Sequence, residues 1–458
     1  MLITTAALRC APVLLLAGDV DHHGRLLSAQ HGRLQRWLQR ARGMMAHPVA
    51  RLFEYVRQNG WGIADSMEDA DVVLVASCAF IADREDVSFG LLESARKRMK
   101  PDARFVVLGC LAGMCEERLA ETFGIQAIPW TNGHDLDELL GASVGYEDVS
   151  DPPVIDEYVK SASQSFSDRE RHPNDNAVVA QLRRIWGRVE ESRRYGWRSP
   201  WAAGKTACSL RVARGCDGEC TYCAIRFGAG PLHSKPLAQV LAEFDSGLSQ
   251  GHRHFTVIAG DLGAYGQDIG TNVAELLGEL MARQTQFELT LLDFDMKYFI
   301  MYSGALIPLL AANADRVRYL SLPLQSGSEA ILQQMRRGHS AADAERSLVA
   351  LRAVCPKLVL NTQILIGFPG EAEQDFQDTL RVLRRARFDS VSIYDYQDRP
   401  KTAASRMPGK VSRQTIRSRS LRARREFGGP FATSRYRLME WERTRHQSRG
   451  NDAHVSAQ

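Results

Sequence analysis

The sequence predicts an α/β chain: an N-terminal open parallel α/β sheet domain followed by a partial (β/α)6 barrel. Three observations predict it. Short Val/Leu/Ile-rich runs alternate with amphipathic stretches, the rhythm of parallel strands crossed by helices. That rhythm occurs in two regions separated by a polar, Pro-containing stretch. The second region repeats the unit six times, fewer than the eight that close a full barrel. A length of 458 residues, 44% hydrophobic and 24% charged, suits two or three domains.

The elements follow in order. Residues 1–42 read as an N-terminal extension with a candidate first strand at "VLLLAG". Arg9 interrupts the apolar start and no small-residue cleavage site follows, so this run reads as a strand leading into the fold, not an export signal. Residues 43–145 form the first α/β domain. Within it, "PVARLFEYVRQN" puts Val49, Leu52, Phe53 and Val56 on one helical face. "DVVLVASC" reads as a buried strand, residues 84–100 as a helix and "RFVVLGC" as the next strand, joined by a right-handed crossover. Residues 146–205 read as linker, with a short helix over 177–193. The barrel spans 206–400, with strands expected at 209–214, 254–259, 289–293, 317–322, 358–366 and 390–394. Residues 401–458 read as a basic helix and tail. No apolar run is long enough to span a bilayer.

Charge and cysteine usage narrow the class. From Lys401 onward there are fourteen Lys/Arg against four Asp/Glu, so with a chain total of +4 the first 400 residues carry about −6. Such a run is more often a solvated helix with a loose end than a nucleic-acid grip, although its charge can hold a phosphate backbone. Nine cysteines without regular spacing fit thiolate chemistry in a reducing cytoplasm rather than a disulfide framework. Cys78 and Cys110 each follow a predicted strand directly. Ligands of open α/β sheets sit at the carboxyl ends of strands, so both thiols are expected to face one crevice.

The most specific stretch is "RGCDGECTYCAIRFGAG", with Cys216, Cys220 and Cys223 in one loop after the first barrel strand. A structural zinc site wants four ligands and would need Cys208 or a distant residue here. Three thiolates suit a [4Fe-4S] cluster with one iron left open. The zinc alternative would make the chain a non-catalytic RNA-binding protein built on the basic tail. Iron and sulfide, as against stoichiometric zinc, separate the two.

This loop resembles the signature of the radical S-adenosylmethionine (SAM) superfamily, including Tyr222 before the third cysteine. "ASCAFIADRED", "VVLGCLAG", "AGDLGAYGQD", "YLSLPLQSGSEAILQQMRRGHS", "LIGFPGEAEQDFQDTL" and "FDSVSIYDYQDRPKTAA" extend the resemblance, over residues 43–425, to its methylthiotransferase branch. The resemblance implies a radical SAM barrel that reductively cleaves SAM and activates a C–H bond for sulfur or methylthio insertion; the alternative among enzymes is a radical SAM reaction with another outcome on a small metabolite or peptide. It implies an electron donor such as a flavodoxin or ferredoxin, and a substrate open between RNA, protein and a small molecule. Gly260 and Asp261 lie where the family holds the methionine end of SAM. Gln325, Ser326 and Gly327 lie at its ribose and carboxylate side, Arg337 matches a basic residue after the same strand, and Gly367 with Glu371 lies by the adenine strand.

The chain also departs from the family. A second [4Fe-4S] cluster would use three N-terminal cysteines, of which Cys78 and Cys110 match the second and third. The first is missing: "RGMMAHPVARL" has Met44 or Met45 in its place. Cys10 precedes the first strand, and Cys115, Asp19, His22 and His23 are the remaining candidates. After about Gln414 no set of alternating strands is available for the small barrel with which the family grips its substrate.

Overall fold

The computed structural model describes residues 12–20, 26–28, 46–64, 67–77, 82–125, 127–151, 154–156 and 207–427. The helix expected over 177–193 lies outside them, as do Cys10, Cys78, His22, His23, Met44 and Met45.

The first sheet is built from β1 (Pro12–Val20), β2 (Leu26–Ser28), β3 (Gly62–Ile63), β4 (Val72–Ser77), β5 (Arg104–Gly109) and β6 (Ala127–Ile128). Its order is β2-β1-β4-β5-β6, with β3 also paired to β1. All pairings are parallel except β1 with β2. β4 is buried along its whole length, as a strand covered on both faces must be. The helix Ala46–Gln58 covers one face, with Val49, Leu52, Phe53 and Val56 all buried. The helix Ala82–Arg98 makes the crossover between β4 and β5. β1 lies in the interior of this sheet, so the domain begins well before residue 43 and the stretch read as an extension contributes a central strand.

The second sheet holds β7 (Val154–Asp156), β8 (Ala207–Arg211), β11 (His254–Ile258), β12 (Glu288–Leu291), β13 (Val317–Ser321), β14 (Val359–Ile366) and β15 (Ser390–Asp395). The short strands β9 (Ala213–Arg214) and β10 (His233–Ser234) pair separately, antiparallel. The order β15-β14-β13-β12-β11-β8-β7 is parallel from β8 to β15, and β7 runs antiparallel along β8. Six parallel strands in sequence order make the partial barrel, and each falls on a predicted run.

Two further readings change. The 146–205 segment is not linker throughout: β7 edges the barrel sheet, and Asp151 is buried in an ion pair with Arg211. The basic helix Arg413–Phe427 is not solvated on all sides. Ile416, Arg419, Ser420 and Ala423 form a buried stripe, at i, i+3, i+4 and i+7, against the β14–β15 side of the barrel. Its apolar content is too low for periodicity to reveal this, because two of the four buried positions are polar.

Candidate active site

Val212, Ala213 and Arg214 carry the chain from β8 into the cysteine loop. Gly215 makes the bend at φ +70°, where a Cβ would sit 1.8 Å from the Pro231 carbonyl oxygen. Cys216, Cys220 and Cys223 are all half-buried free thiols. The Gly218 N–H donates to the Cys216 Sγ at 3.2 Å and the Arg337 Nη1 donates to the Cys220 Sγ at 3.3 Å. Donors aimed at sulfur favour thiolate, as a metal ligand must be. Burial and the neighbouring Asp261 carboxyl push the Cys216 thiol up to about 12, and burial with Cys220 raises Cys223. The Cys216 and Cys223 thiols therefore deprotonate upon metal binding, not before it. Three clustered sulfurs with amide and guanidinium donors behind them fit a cluster with a three-thiolate set.

Asp261, Asp295 and Arg337 form a buried charge network beneath this loop. Asp261 Oδ1 accepts from the Gly263 and Asp295 N–H groups at 2.8 and 3.0 Å. Burial and the charge of Asp295 raise Asp261 to about 8. An oxygen of Asp261 and one of Asp217 lie within 4.8 Å of the Cys216 sulfur and of each other. Arg337 pairs with Asp295 at 2.7 Å and donates to the Pro323 carbonyl at 2.9 Å. Its burial opposes the charge, but Asp295, Tyr222 and Cys220 hold it protonated. Tyr222 is drawn into the same network, its hydroxyl 3.5 Å from Arg337. Gly260 sits against Gly215: a Cβ there would fall 2.1 Å from the Gly215 carbonyl oxygen.

The remaining predicted residues fall at the carboxyl ends of β13 and β14. Gln325, at φ +66°, donates its N–H to Gln363 and accepts from Leu365, stitching the two strand ends together. Ser326 and Gly327 are engaged elsewhere: the Ser326 hydroxyl and the Gly327 N–H both meet the Thr379 hydroxyl, at 3.3 and 2.9 Å. Gly367 donates its N–H to Glu371 Oε2 at 2.8 Å.

The N-terminal domain completes the site. The β4–β5 register ends at the pair Ser77–Gly109, each residue directly preceding one of the two predicted cysteines. Cys78 itself lies outside the described residues. Cys110 begins the short helix Cys110–Met114 and lines a cavity of about 110 Å³. Gly215, Ile225, Ala229 and Gly260 from the barrel line the same cavity, with Arg51 and Trp130 from the first domain. Cys115 does not share this position. It is buried with Phe89, Leu92 and Leu111, and burial with the Glu85 charge pushes its thiol up to about 11.

Sequence reasoning missed three features. Asp295 follows β12 and was reachable by the same strand-end rule. Gly113 and Gly228 let Cys110–Met114 lie directly on the helix Ile225–Ala229. A Cβ on Gly113 would meet the Phe227 carbonyl oxygen at 2.4 Å, and one on Gly228 would meet the Cys110 Cα at 2.5 Å. Arg399 and Lys401, beyond β15, bind the first domain: Arg399 pairs with Glu85 at 3.0 Å and the Lys401 Nζ donates to the Gly113 carbonyl at 3.0 Å.

An open parallel barrel with a three-cysteine loop after its first parallel strand defines a radical SAM enzyme. Residues 210–383 match the Radical SAM superfamily, and residues 44–128 match the Uncharacterized protein family UPF0004. The ribosomal protein uS12 methylthiotransferase RimO of Desulfotalea psychrophila is 32% identical over 374 residues, 80% of this chain and 76% of that protein. The probable threonylcarbamoyladenosine tRNA methylthiotransferase of Pyrococcus horikoshii is 28% identical over 365 residues, 78% of this chain and 76% of that protein. In fold, the radical SAM methyltransferase TsrM from Kitasatospora setae superposes with a TM-score of 0.53 at 15% identity, covering 87% of this chain and 77% of TsrM. The chain belongs to the radical SAM methylthiotransferase family. It is accordingly a transferase that uses a [4Fe-4S] cluster and SAM.

Proposed function

We propose that Cys216, Cys220 and Cys223 hold the [4Fe-4S] cluster that cleaves SAM, and that sulfur reaches the substrate from the Cys110 side of the shared cavity. The observation that carries this reading is the cavity itself, with Cys110 on one wall and Gly215 and Ile225, which flank the three cysteines in sequence, on the other. A cluster held by Cys216, Cys220 and Cys223 would supply the single electron needed for reductive cleavage of SAM and so for C–H activation.

The chain's own groups bind, orient and exclude water. Arg337 and the Gly218 N–H stabilise thiolate at Cys220 and Cys216. Gly260 and Asp261 would hold the methionine end of SAM, Gln325 its ribose, and Gly367 with Glu371 its adenine. Ser326 and Gly327 act one step back, fixing the Gln325 turn through Thr379. The Ile225, Ala229 and Gly260 wall keeps the cavity largely apolar, which protects a carbon radical from quenching.

Cys78 and Cys110 are the proposed ligands of a second cluster, with its third ligand open. Cys115 is a poor candidate because its sulfur is buried against Glu85. The electron comes from a flavodoxin- or ferredoxin-class donor. The relatives are named for acting on a ribosomal protein and on tRNA, and we place this chain's acceptor group on a protein or an RNA. None of the seven described cysteines is in a disulfide, which suits a reducing cytoplasm. Among the described residues no helix is long and apolar enough to cross a membrane.

The test is iron, sulfide and 5′-deoxyadenosine measured on anaerobically reconstituted protein. Replacing any one of Cys216, Cys220 or Cys223 with Ala abolishes 5′-deoxyadenosine formation. Undiminished formation in any single variant would sink the assignment.

A further inference from the structure

The loop after β14 is closed from outside by the basic helix. Gly367 turns at φ +83°, and a Cβ there would lie 2.2 Å from Ile416 Cγ1 on the helix Arg413–Phe427. The Gly370 N–H donates to the Gly409 carbonyl at 2.8 Å, in the segment leading to that helix. Glu371 ends the loop with its side chain only 2% exposed. One oxygen, Oε2, accepts both the Gly367 N–H at 2.8 Å and the Arg419 Nη1 at 2.9 Å. The same Arg419 nitrogen donates to the Glu371 carbonyl at 2.9 Å, and its Nε donates to Glu373 Oε2 at 3.2 Å. A single buried guanidinium thus holds the carboxylate, the backbone and the start of the following helix. Only a planar fork of donors does this; a lysine ammonium is a point charge on a flexible stem.

The loop occupies the carboxyl end of a barrel strand, beside Gln325, whose carbonyl accepts the Leu365 N–H at 2.9 Å. Arg419 itself is buried and spends its donors on Glu371 and Glu373. It therefore acts through Glu371 and not on the reactants.

We propose that Arg419 is a positioning residue for SAM: by pinning Glu371 it fixes residues 367–371 as the surface on which the adenosine end of SAM rests. The proposal rests on the reading above that this loop contacts SAM. It gives the basic helix a role at the cofactor site in addition to any part its exposed arginines play in substrate binding.

The experiment uses the full-length reconstituted protein with dithionite as reductant and SAM as the only ligand. SAM binding is measured by equilibrium dialysis, and 5′-deoxyadenosine formation is followed against SAM concentration. Arg419→Gln, Arg419→Lys and Glu371→Gln should each weaken SAM binding and raise KM by about tenfold, the worth of one charge-assisted hydrogen bond, with kcat little changed. Iron per chain and the cluster spectrum without SAM should match wild type, which a general folding defect would not allow. Ser420→Ala removes the same helix's hydrogen bond to Asp395 and should leave SAM affinity unaltered. Unchanged SAM affinity in the soluble Arg419 and Glu371 variants would overturn the proposal. So would an equal loss in Ser420→Ala, which would reduce the helix to packing. A wild type that binds SAM but forms no 5′-deoxyadenosine would instead count against the functional reading.

Discussion

Gly113 and Gly228 set how closely the two halves of the site approach, because each puts bare backbone where any side chain would collide with the opposing helix. Neither can be recognised from sequence: each is a single glycine in a short helix, and its partner is more than a hundred positions away. Cys216, Cys220 and Cys223 were legible for the opposite reason, since their chemistry depends on local spacing. His47 shows a third case. It stands just before the predicted amphipathic run and carries no motif, yet it is buried at the domain junction with its Nε2 2.9 Å from the Ser209 hydroxyl. Burial, with the charges of Arg211 and Lys235, lowers its pKa to about 3. The unfolded chain binds a proton at His47 below the ordinary value of about 6.5, while the folded protein refuses it until about 3. Stability contributed here is full above the unfolded value and is lost as pH falls between the two. At pH 5.5 the loss is about 1.4 kcal/mol. His47→Gln, which can keep the Ser209 hydrogen bond, should flatten urea-unfolding stability between pH 7 and 5.5. Asp151, in the same cluster, is held below the usual carboxylate range despite its burial by Arg211 and Lys235, so its own loss comes only at lower pH. A wild-type slope that survives the substitution would place the titrating group elsewhere.

Among the elements, the barrel strands were legible because each is a short run carrying Val, Leu or Ile between helical stretches, even though polar residues such as Thr290, Arg318 and Asn361 interrupt β12, β13 and β14. The segment from Arg399 to Ala404 was not, although it braces both halves of the site. Arg399 pairs with Glu85, Lys401 reaches the Gly113 carbonyl from a left-handed backbone at φ +61°, and the Ala404 N–H donates to the Thr221 carbonyl in the cysteine loop at 2.9 Å. Polar and irregular, it carries no periodicity, and its partners are set by tertiary contact alone. Arg399 and Glu85 are both nearly buried, at 8% and 10% side-chain exposure, so removing one leaves the other's charge poorly compensated. Arg118, half exposed, also pairs with Glu85 and tempers the loss. Arg399→Gln should lower unfolding free energy by on the order of 3 kcal/mol in urea titrations. Glu85→Gln in the same background should recover part of it, since the stranded charge is gone. A double variant no more stable than Arg399→Gln would mean that packing of the guanidinium, not its charge, is what the brace supplies.

At the scale of the whole molecule, two parallel sheets present their carboxyl edges to one cavity. Strand-end placement predicted that each sheet would offer ligands at that edge; Cys110 lines the cavity, as do Gly215 and Ile225 on either side of the cysteine loop. What no periodicity contains is how the sheets face one another; that follows from the glycine contact, the Arg399–Glu85 pair and the buried His47–Ser209 junction together. The arrangement separates two jobs in space. On the proposed assignment, SAM cleavage draws only on the barrel cluster, whereas sulfur delivery draws on the Cys110 wall. Cys110→Ala should therefore keep 5′-deoxyadenosine formation while losing about four iron per chain, a cluster's worth. The same loss should appear when Cys110→Ala is added to a Cys216/Cys220/Cys223→Ala background, whose residual iron reports the second site alone. Cys115→Ala should leave that residual iron unchanged, because its sulfur is buried against Glu85. If Cys110→Ala retains all of its iron in both backgrounds, Cys110 is a buried thiol at a domain junction, no second cluster depends on it, and sulfur delivery from that wall falls.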